Sequence, residues 1–177
     1  MKQQVPPYVH SYPAPAVLIG CGTLEKPNLI TCSWFGTVCS EPPTVSVSVR
    51  KSRFSNHLLH EYREFTVNIP RAEELEMVKF CGVKSCRDQS KFRELGLTPV
   101  PCPPLKHAPM IDEFFQALGC RIKDVIELGS HDMFVAEVMS AWCRAEDLRR
   151  VRPDPHGVEQ IAFLDGKYWG LTLLSER

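Results

Sequence analysis

A mainly β, antiparallel fold with a few short helices is what this sequence predicts, and three observations carry the prediction. Thr44 to Arg50 reads TVSVSVR, where Val45, Val47 and Val49 alternate with Ser46 and Ser48 at the period of a half-buried strand. Further strand-like runs recur between turn signals, and the helical runs do not alternate with them one for one, which favours an antiparallel sheet over a doubly wound parallel one. Asp165-Gly166, between IAFL and KYWGLTLL, is the strongest short-range hairpin signal in the chain. A closed Greek-key barrel with helical additions removes exposed edges and suits this pattern.

Taken in order, AVLIGCG and LITCSWFGTV read as two strands separated by the turn-like LEKPN, and TVSVSVR as the next. SRFSNHLLHEY is then a short helix with Ser52 or Ser55 as its candidate N-cap. EFTVNIP is a strand stopped by Pro70. AEELEMVKFCG, acidic early and with Gly82 late, and DQSKFRELG, ending at Gly96, carry helix start and stop signals. Proline-dense LTPVPCPPLKHAP predicts a surface loop without a ladder. FFQALGCRIKDVIEL and MFVAEVMSAWCRA flank Gly129-Ser130-His131-Asp132 and form a long hairpin; AEDLRR is at most a helical turn. No internal repeat or low-complexity segment interrupts the 177 residues, and the length suits one domain over 1–177.

Lys plus Arg and Asp plus Glu number 21 each, so the formal net charge is zero, and no polybasic run offers nucleic acid or an anionic membrane a landing site. Apolar runs fall well short of the ~20 residues a membrane span needs. The start MKQQVPPYVH lacks the apolar segment of a secretory signal, so the expected location is the cytoplasm. Eight cysteines are scattered without a C-x-x-C spacing, as expected of small buried hydrophobes in a reducing compartment. Cys81 and Cys86, five apart around a glycine, are the one pair to check. His57 and His60 share a helix face, but without a third ligand they predict no metal site.

No G-x-G-x-x-G, P-loop or G-x-S-x-G elbow is present, which argues against a Rossmann unit, a P-loop nucleotidase and an α/β-hydrolase. What remains is polar groups at strand ends and helix starts. RKSRFSN, from Arg50 to Asn56, sets three cations and two hydroxyls where a strand gives way to a helix. That arrangement suits a phosphate, although an ordinary N-cap among solvated basic residues fits the same local sequence. Lys91 is either a second cation for that site or a solvated helix residue. Trp34 reads as core or as a ligand platform, and His131 as a turn hydrogen-bonder or a site group. The polar members of NLITCSW, inside an apolar strand, ask for partners either in the protein or in a ligand.

The blocks NLITCSWFGTVCSEPPTVSVSVRKSRFSNHLLHEYREFTVNIP, GVKSCRDQSKF, LGSHDMFVAEV and DGKYWGL resemble, in order, the flavin reductase-like family of FMN-binding split barrels, especially its flavoredoxin-type branch. The resemblance runs from about Pro15 to Leu171. Its most specific pieces are N-x-x-T-x-S-W followed by Pro42-Pro43, and F-x-V-N-I-P. It implies a homodimer with one FMN per subunit in a groove at or near the subunit interface. By position, Asn28, Thr31 and Ser33 would lie near the polar edge of the isoalloxazine and Trp34 beside it. Ser55, where family members often carry Thr, and Lys91 would hold the phosphate, with Arg50, Lys51 and Arg53 as helpers. His131, in a G-S-H turn where the family writes G-D-H, would sit near the flavin, and Phe163 with Tyr168 or Trp169 would cover the ring edge.

The resemblance implies an NAD(P)H-dependent reductase of flavin, ferric complexes or another acceptor, with NADH or NADPH as donor. Its flavoredoxin branch implies the alternative, an electron carrier served by a redox protein partner. A barrel binding some other ligand without redox turnover is the third reading. Hydride transfer itself needs no general acid or base, so no catalytic dyad is named.

Overall fold

The computed structural model describes residues 2–9, 12–85, 90–145, 148–149, 152–153 and 159–171. Its strands, in chain order, are β1 (Ala14–Pro15), β2 (Val17–Gly22), β3 (Pro27–Cys32), β4 (Phe35–Ser40), β5 (Pro43–Arg50), β6 (Glu64–Ile69), β7 (Pro99–Val100), β8 (Met110–Ile111), β9 (Gln116–Glu127), β10 (His131–Cys143), β11 (Leu148–Arg149), β12 (Arg152–Pro153), β13 (Ile161–Leu164) and β14 (Lys167–Gly170). The helices are α1 (Phe54–Tyr62), α2 (Leu75–Val83) and α3 (Lys91–Leu95), with a 3₁₀ turn at Ala72–Glu74.

Seven strands form one antiparallel sheet in the order β3-β2-β6-β9-β10-β5-β4, the split barrel with peripheral helices. Bulges between Val135 and Ala136 and between Val138 and Ser140 let the two longest strands, β9 and β10, bend. The inward residues Val45, Val47 and Val49 of β5 meet Phe65, Val67, Cys120, Phe134 and the buried Leu58 and Leu59 of α1 in the principal core. Every residue of β2 is buried, because Val17, Ile19 and Cys21 face that core while Leu18 faces a second cluster built from α2, α3 and β13. A strand covered on both faces reads as a continuous apolar run, and AVLIGCG does. At the β13–β14 turn Asp165 (φ 50°) and Gly166 (φ 74°) both take left-handed backbone, as a type I′ hairpin requires.

Four element-level expectations change. LITCSWFGTV is two strands, β3 and β4, because the ladder breaks at Ser33 and Trp34. The proline-dense segment is not a bare surface loop: β7 pairs with β8, and Leu97, Cys102 and Ala108 are buried. Side chains of β6 hold it there. Glu64 accepts from the backbone N–H groups of Lys106 and His107, Thr66 donates to the carbonyl of Pro109, and Asn68 accepts from the N–H of Ile111. Of AEDLRR, Leu148–Arg149 pairs with Arg152–Pro153 in a short ladder, while Glu146, Asp147 and Arg150 lie outside the described residues. Neither Ser52 nor Ser55 caps α1; the N-cap is Arg53, no side chain accepts from the helix there, and Ser55 lies in the first turn. Gly96 ends α3 in left-handed conformation as expected, whereas Gly82 lies inside α2. Among the described residues no helix is long and apolar enough to cross a membrane.

Candidate functional site

Strand β5 runs into α1 through Lys51, Ser52 and Arg53, and this corner meets the outer end of β3 and the last turn of α2. A cavity of about 200 Å³ opens there, with Asn28, Ser52, Arg53, Ser55, Lys84 and Lys91 in its wall. None of its described lining residues is acidic. Uncapped N–H groups at the start of a nine-residue helix, three cations and several hydroxyls make it a cradle for an anion.

Both Asn28 and Lys91 are 2 % exposed and Ser55 3 %, so this end is held from within the protein. Lys91 Nζ donates to the carbonyls of Leu29 (2.5 Å) and Cys81 (2.8 Å), tying α3 to β3 and α2. The Asn28 amide donates to Ser55 Oγ (2.7 Å) and to Cys21 Sγ (3.1 Å). Lys91 is therefore no solvated helix residue, because the carbonyls it satisfies draw the ammonium inward.

Ile30 and Arg53 line both this cavity and an adjacent, wider groove of about 370 Å³. Its walls carry Thr31, Ser33, Trp34, Arg50, His131 and Phe163 together with Cys32, Ser48 and Val49. Trp34 is 38 % exposed, and its ring lies 4.3 Å from that of His131 at 32°. Ser130 Oγ and His131 Nδ1 are hydrogen-bonded at 2.7 Å. Burial, with the Arg50 charge nearby, lowers the His131 pKa against the smaller opposing pull of Asp132. Burial pushes the Cys32 thiol up to about 12, so the groove wall offers a neutral thiol and no nucleophilic thiolate. The Thr31 hydroxyl donates to the Val78 carbonyl and spends its proton on anchoring α2.

Four expected site residues, Asn28, Lys51, Tyr168 and Trp169, stand outside the wide groove. Asn28 lies at the closed cavity and not beside the wide groove, since its position on β3 aims it at Cys21 and Ser55. Lys51 lines neither space; its ammonium faces Asp132 (3.3 Å) and Glu127 (3.9 Å). Asp132 also accepts from Asn56 and meets His60 Nε2 at 3.1 Å. Burial works against its ionisation, but these partners together hold its carboxyl below the usual range. This carboxylate braces α1 and leaves His131 to Ser130. Phe163 reaches the groove and touches Tyr168 with ring centres 5.1 Å apart, while Tyr168 packs on the second core cluster. Trp169 pairs with Ala162, one position out of step with Phe163, and so stands on the opposite face of the hairpin, 53 % exposed.

Reasoning from sequence missed Ser52 and Lys84 as lining residues, although Ser52 stood within RKSRFSN and Lys84 within GVKSCRDQSKF. Of the pair Cys81 and Cys86, Cys81 is buried and Cys86 lies outside the described residues. No cluster of metal-ligating side chains occurs among the described residues.

The flavin reductase like domain matches residues 9–171 of this chain. The chain belongs to the flavin reductase-like family. The flavoredoxin of Desulfovibrio vulgaris (Miyazaki F) is 29 % identical and superimposes with a TM-score of 0.90 over 100 % of this chain and 97 % of its own. A flavoredoxin from Methanosarcina acetivorans is 26 % identical, with a TM-score of 0.91 over 100 % of this chain and 95 % of that one. A protein of Archaeoglobus fulgidus with no assigned function is 34 % identical over 128 residues, 72 % of this chain and 71 % of the relative. Family membership makes this a flavoprotein-type oxidoreductase scaffold, and the two-part trough suits a flavin with a phosphate tail.

Proposed function

We propose that the trough binds one FMN per subunit and that the protein is an oxidoreductase taking electrons from NADH or NADPH and passing them to free flavin, a ferric complex or another small acceptor. The observation that carries this reading is the adjacency, across the shared lining residues Ile30 and Arg53, of an anion cradle and a groove walled by hydroxyl, apolar and aromatic groups. FMN has the same division, a dianionic end and a planar body with a polar edge. Ser52, Arg53, Ser55, Lys84 and Lys91 would hold the phosphate. Thr31, Ser33, Trp34, Arg50, His131 and Phe163 would surround the ring. Bound there, FMN supplies hydride acceptance and one- or two-electron release. The chain's own part is orientation: charged and hydroxyl donors fix one end, and the walls of β3, β5 and β10 fix the plane of the other.

Anaerobic titration of the FMN-loaded protein with NADH and then NADPH, followed in the flavin's visible absorption, tests the reading. Rapid bleaching by either nucleotide is expected. The likeness to two flavoredoxins favours a second reading, an electron carrier that reacts with a redox protein. Tight FMN with no bleaching by either nucleotide, but fast reduction by a partner enzyme, selects it. Failure to take up FMN sinks both.

The working unit in this proposal is a homodimer of single-domain subunits. Exposed Val38, Ile126, Leu128 and Trp169 are apolar surface that a second copy would cover, and a monomer by light scattering with FMN bound would refute it. A cytoplasmic setting is proposed because Cys32, Cys102 and Cys120 are buried thiols and Cys39 is an exposed one, as a reducing compartment allows.

A further inference from the structure

We infer that Asn28 is a positioning residue which orients the hydroxyl proton of Ser55 and so makes the closed cavity selective for a phosphate that only accepts hydrogen bonds. The inference rests on the FMN reading above and assigns Asn28 a task that no ring contact would give it.

A serine hydroxyl has one proton and two lone pairs. Ser55 Oγ accepts from Asn28 Nδ2 at 2.7 Å, so one lone pair is used and the proton remains for a partner in the cavity that Ser55 lines. The second amide hydrogen of Asn28 goes to Cys21 Sγ at 3.1 Å, across the β2–β3 pair in which Cys21 and Asn28 are register partners. In the structure the same NH₂ group serves both the thiol and the hydroxyl. Turned the other way, the Asn28 carbonyl would take the Ser55 proton, and the hydroxyl would meet an anion with lone pairs.

The other polar side chains aimed at this space from α1, α2 and α3 include Arg53, Lys84 and Lys91, which can donate and never accept. With Ser55 held as a donor too, these four groups all match the oxygens of a phosphate dianion. A ligand ending in its own hydroxyl, as riboflavin does, brings no negative charge and one proton for which Arg53, Ser55, Lys84 and Lys91 offer no acceptor. Burial makes the mismatch matter, since Asn28 and Ser55 are nearly inaccessible and water cannot readily rearrange around them.

The test is a double-mutant cycle read as affinity, by quenching of flavin fluorescence, with FMN and riboflavin each titrated into apoprotein. Wild type, Asn28→Ala, Ser55→Ala and the double variant are compared. Asn28→Ala should weaken FMN roughly tenfold and leave riboflavin nearly unchanged, and it should have almost no further effect in the Ser55→Ala background. Equal weakening of both flavins would make Asn28 a packing residue only. An undiminished effect without Ser55 would show that it does not act through that hydroxyl. Should Asn28→Ala not fold, Asn28→Leu decides at similar volume and without a new charge: removing the donor must cost FMN more than riboflavin, and an equal cost to both overturns the inference. Wild-type protein that binds FMN no better than riboflavin would instead refute the phosphate assignment itself.

Discussion

The two ends of the trough are built on opposite plans. At the closed end Asn28, Ser55 and Lys91 are buried, and each is committed to a partner in the protein. At the open end Trp34 stands partly in solvent, and its ring lies against that of another groove residue, His131. A charge-accepting site profits from rigidity, because donors already in place lose little entropy on binding. An open aromatic wall does the reverse, leaving room beside the ligand for whatever delivers or removes electrons. If the trough holds FMN as proposed, the contrast gives affinity to the closed end and reactivity to the open one.

The largest expected effect comes from breaking the closed end. Lys91→Met keeps most of the side-chain volume but strands the carbonyls of Leu29 and Cys81, each a buried acceptor costing about 1–3 kcal/mol when unsatisfied. The apoprotein should therefore melt at a markedly lower temperature, and the variant should bind FMN at least about tenfold more weakly through loss of a charge-assisted donor. Calorimetry without ligand and a flavin titration separate the two consequences. Normal FMN affinity at reduced stability would make Lys91 a strut alone and remove it from the phosphate site.

A smaller effect is expected at the open end. Trp34→Ala removes a half-exposed ring, so the stacking lost should be worth about 1 kcal/mol, and FMN and riboflavin should weaken by the same factor. Parallel isotherms for the two flavins check this. If the loss falls on FMN alone, Trp34 communicates with the phosphate end, and the division of labour between the two ends is wrong.

How far each end could be read beforehand follows from the same contrast. Alternation in TVSVSVR and the Asp165-Gly166 turn are local signals, and they located β5 and the last hairpin. That Ser33, Trp34 and Arg53 would line one concave surface was legible because strand ends and helix starts announce themselves in short sequence. The places of Asn28 and Lys51 were not. Whether a polar side chain on a strand faces a ligand or a neighbouring helix depends on register and on a partner 27 residues away, as Asn28 and Ser55 show, or 81 away, as Lys51 and Asp132 show. The F-x-V-N-I-P block was legible as a signature but not as a device. Thr66 and Asn68 spend their polar atoms gripping Pro109 and Ile111, which turns a proline-dense segment into buried structure. Proline content alone reports what a segment cannot donate, and says nothing about what grips it from outside.

The smallest expected effect, and the one that sharpens the open end most, is titration of His131. Its pKa is lowered from an ordinary value of 6.5, first by burial and then by Arg50, so folding favours the neutral ring. In the unfolded chain the imidazole takes a proton near its ordinary value; in the native protein it does so only at lower pH. The native state thus binds fewer protons in that interval, and stability is full above about pH 6.5 and falls as the pH drops below it. Asp132, also lowered, contributes a loss of the same sign, but only near and below its ordinary value of 3.8, so the two windows separate. Urea unfolding of wild type and His131→Gln between pH 8 and 5 reads the histidine alone: the wild-type midpoint should decline below 6.5 more steeply than the variant's. Identical slopes would mean that the ring is solvated and free, with Ser130 and Trp34 imposing no order on it. A wild-type midpoint that rises on acidification would mean that the groove prefers the imidazolium, and the open end would then be a second anion site, erasing the contrast with the closed one.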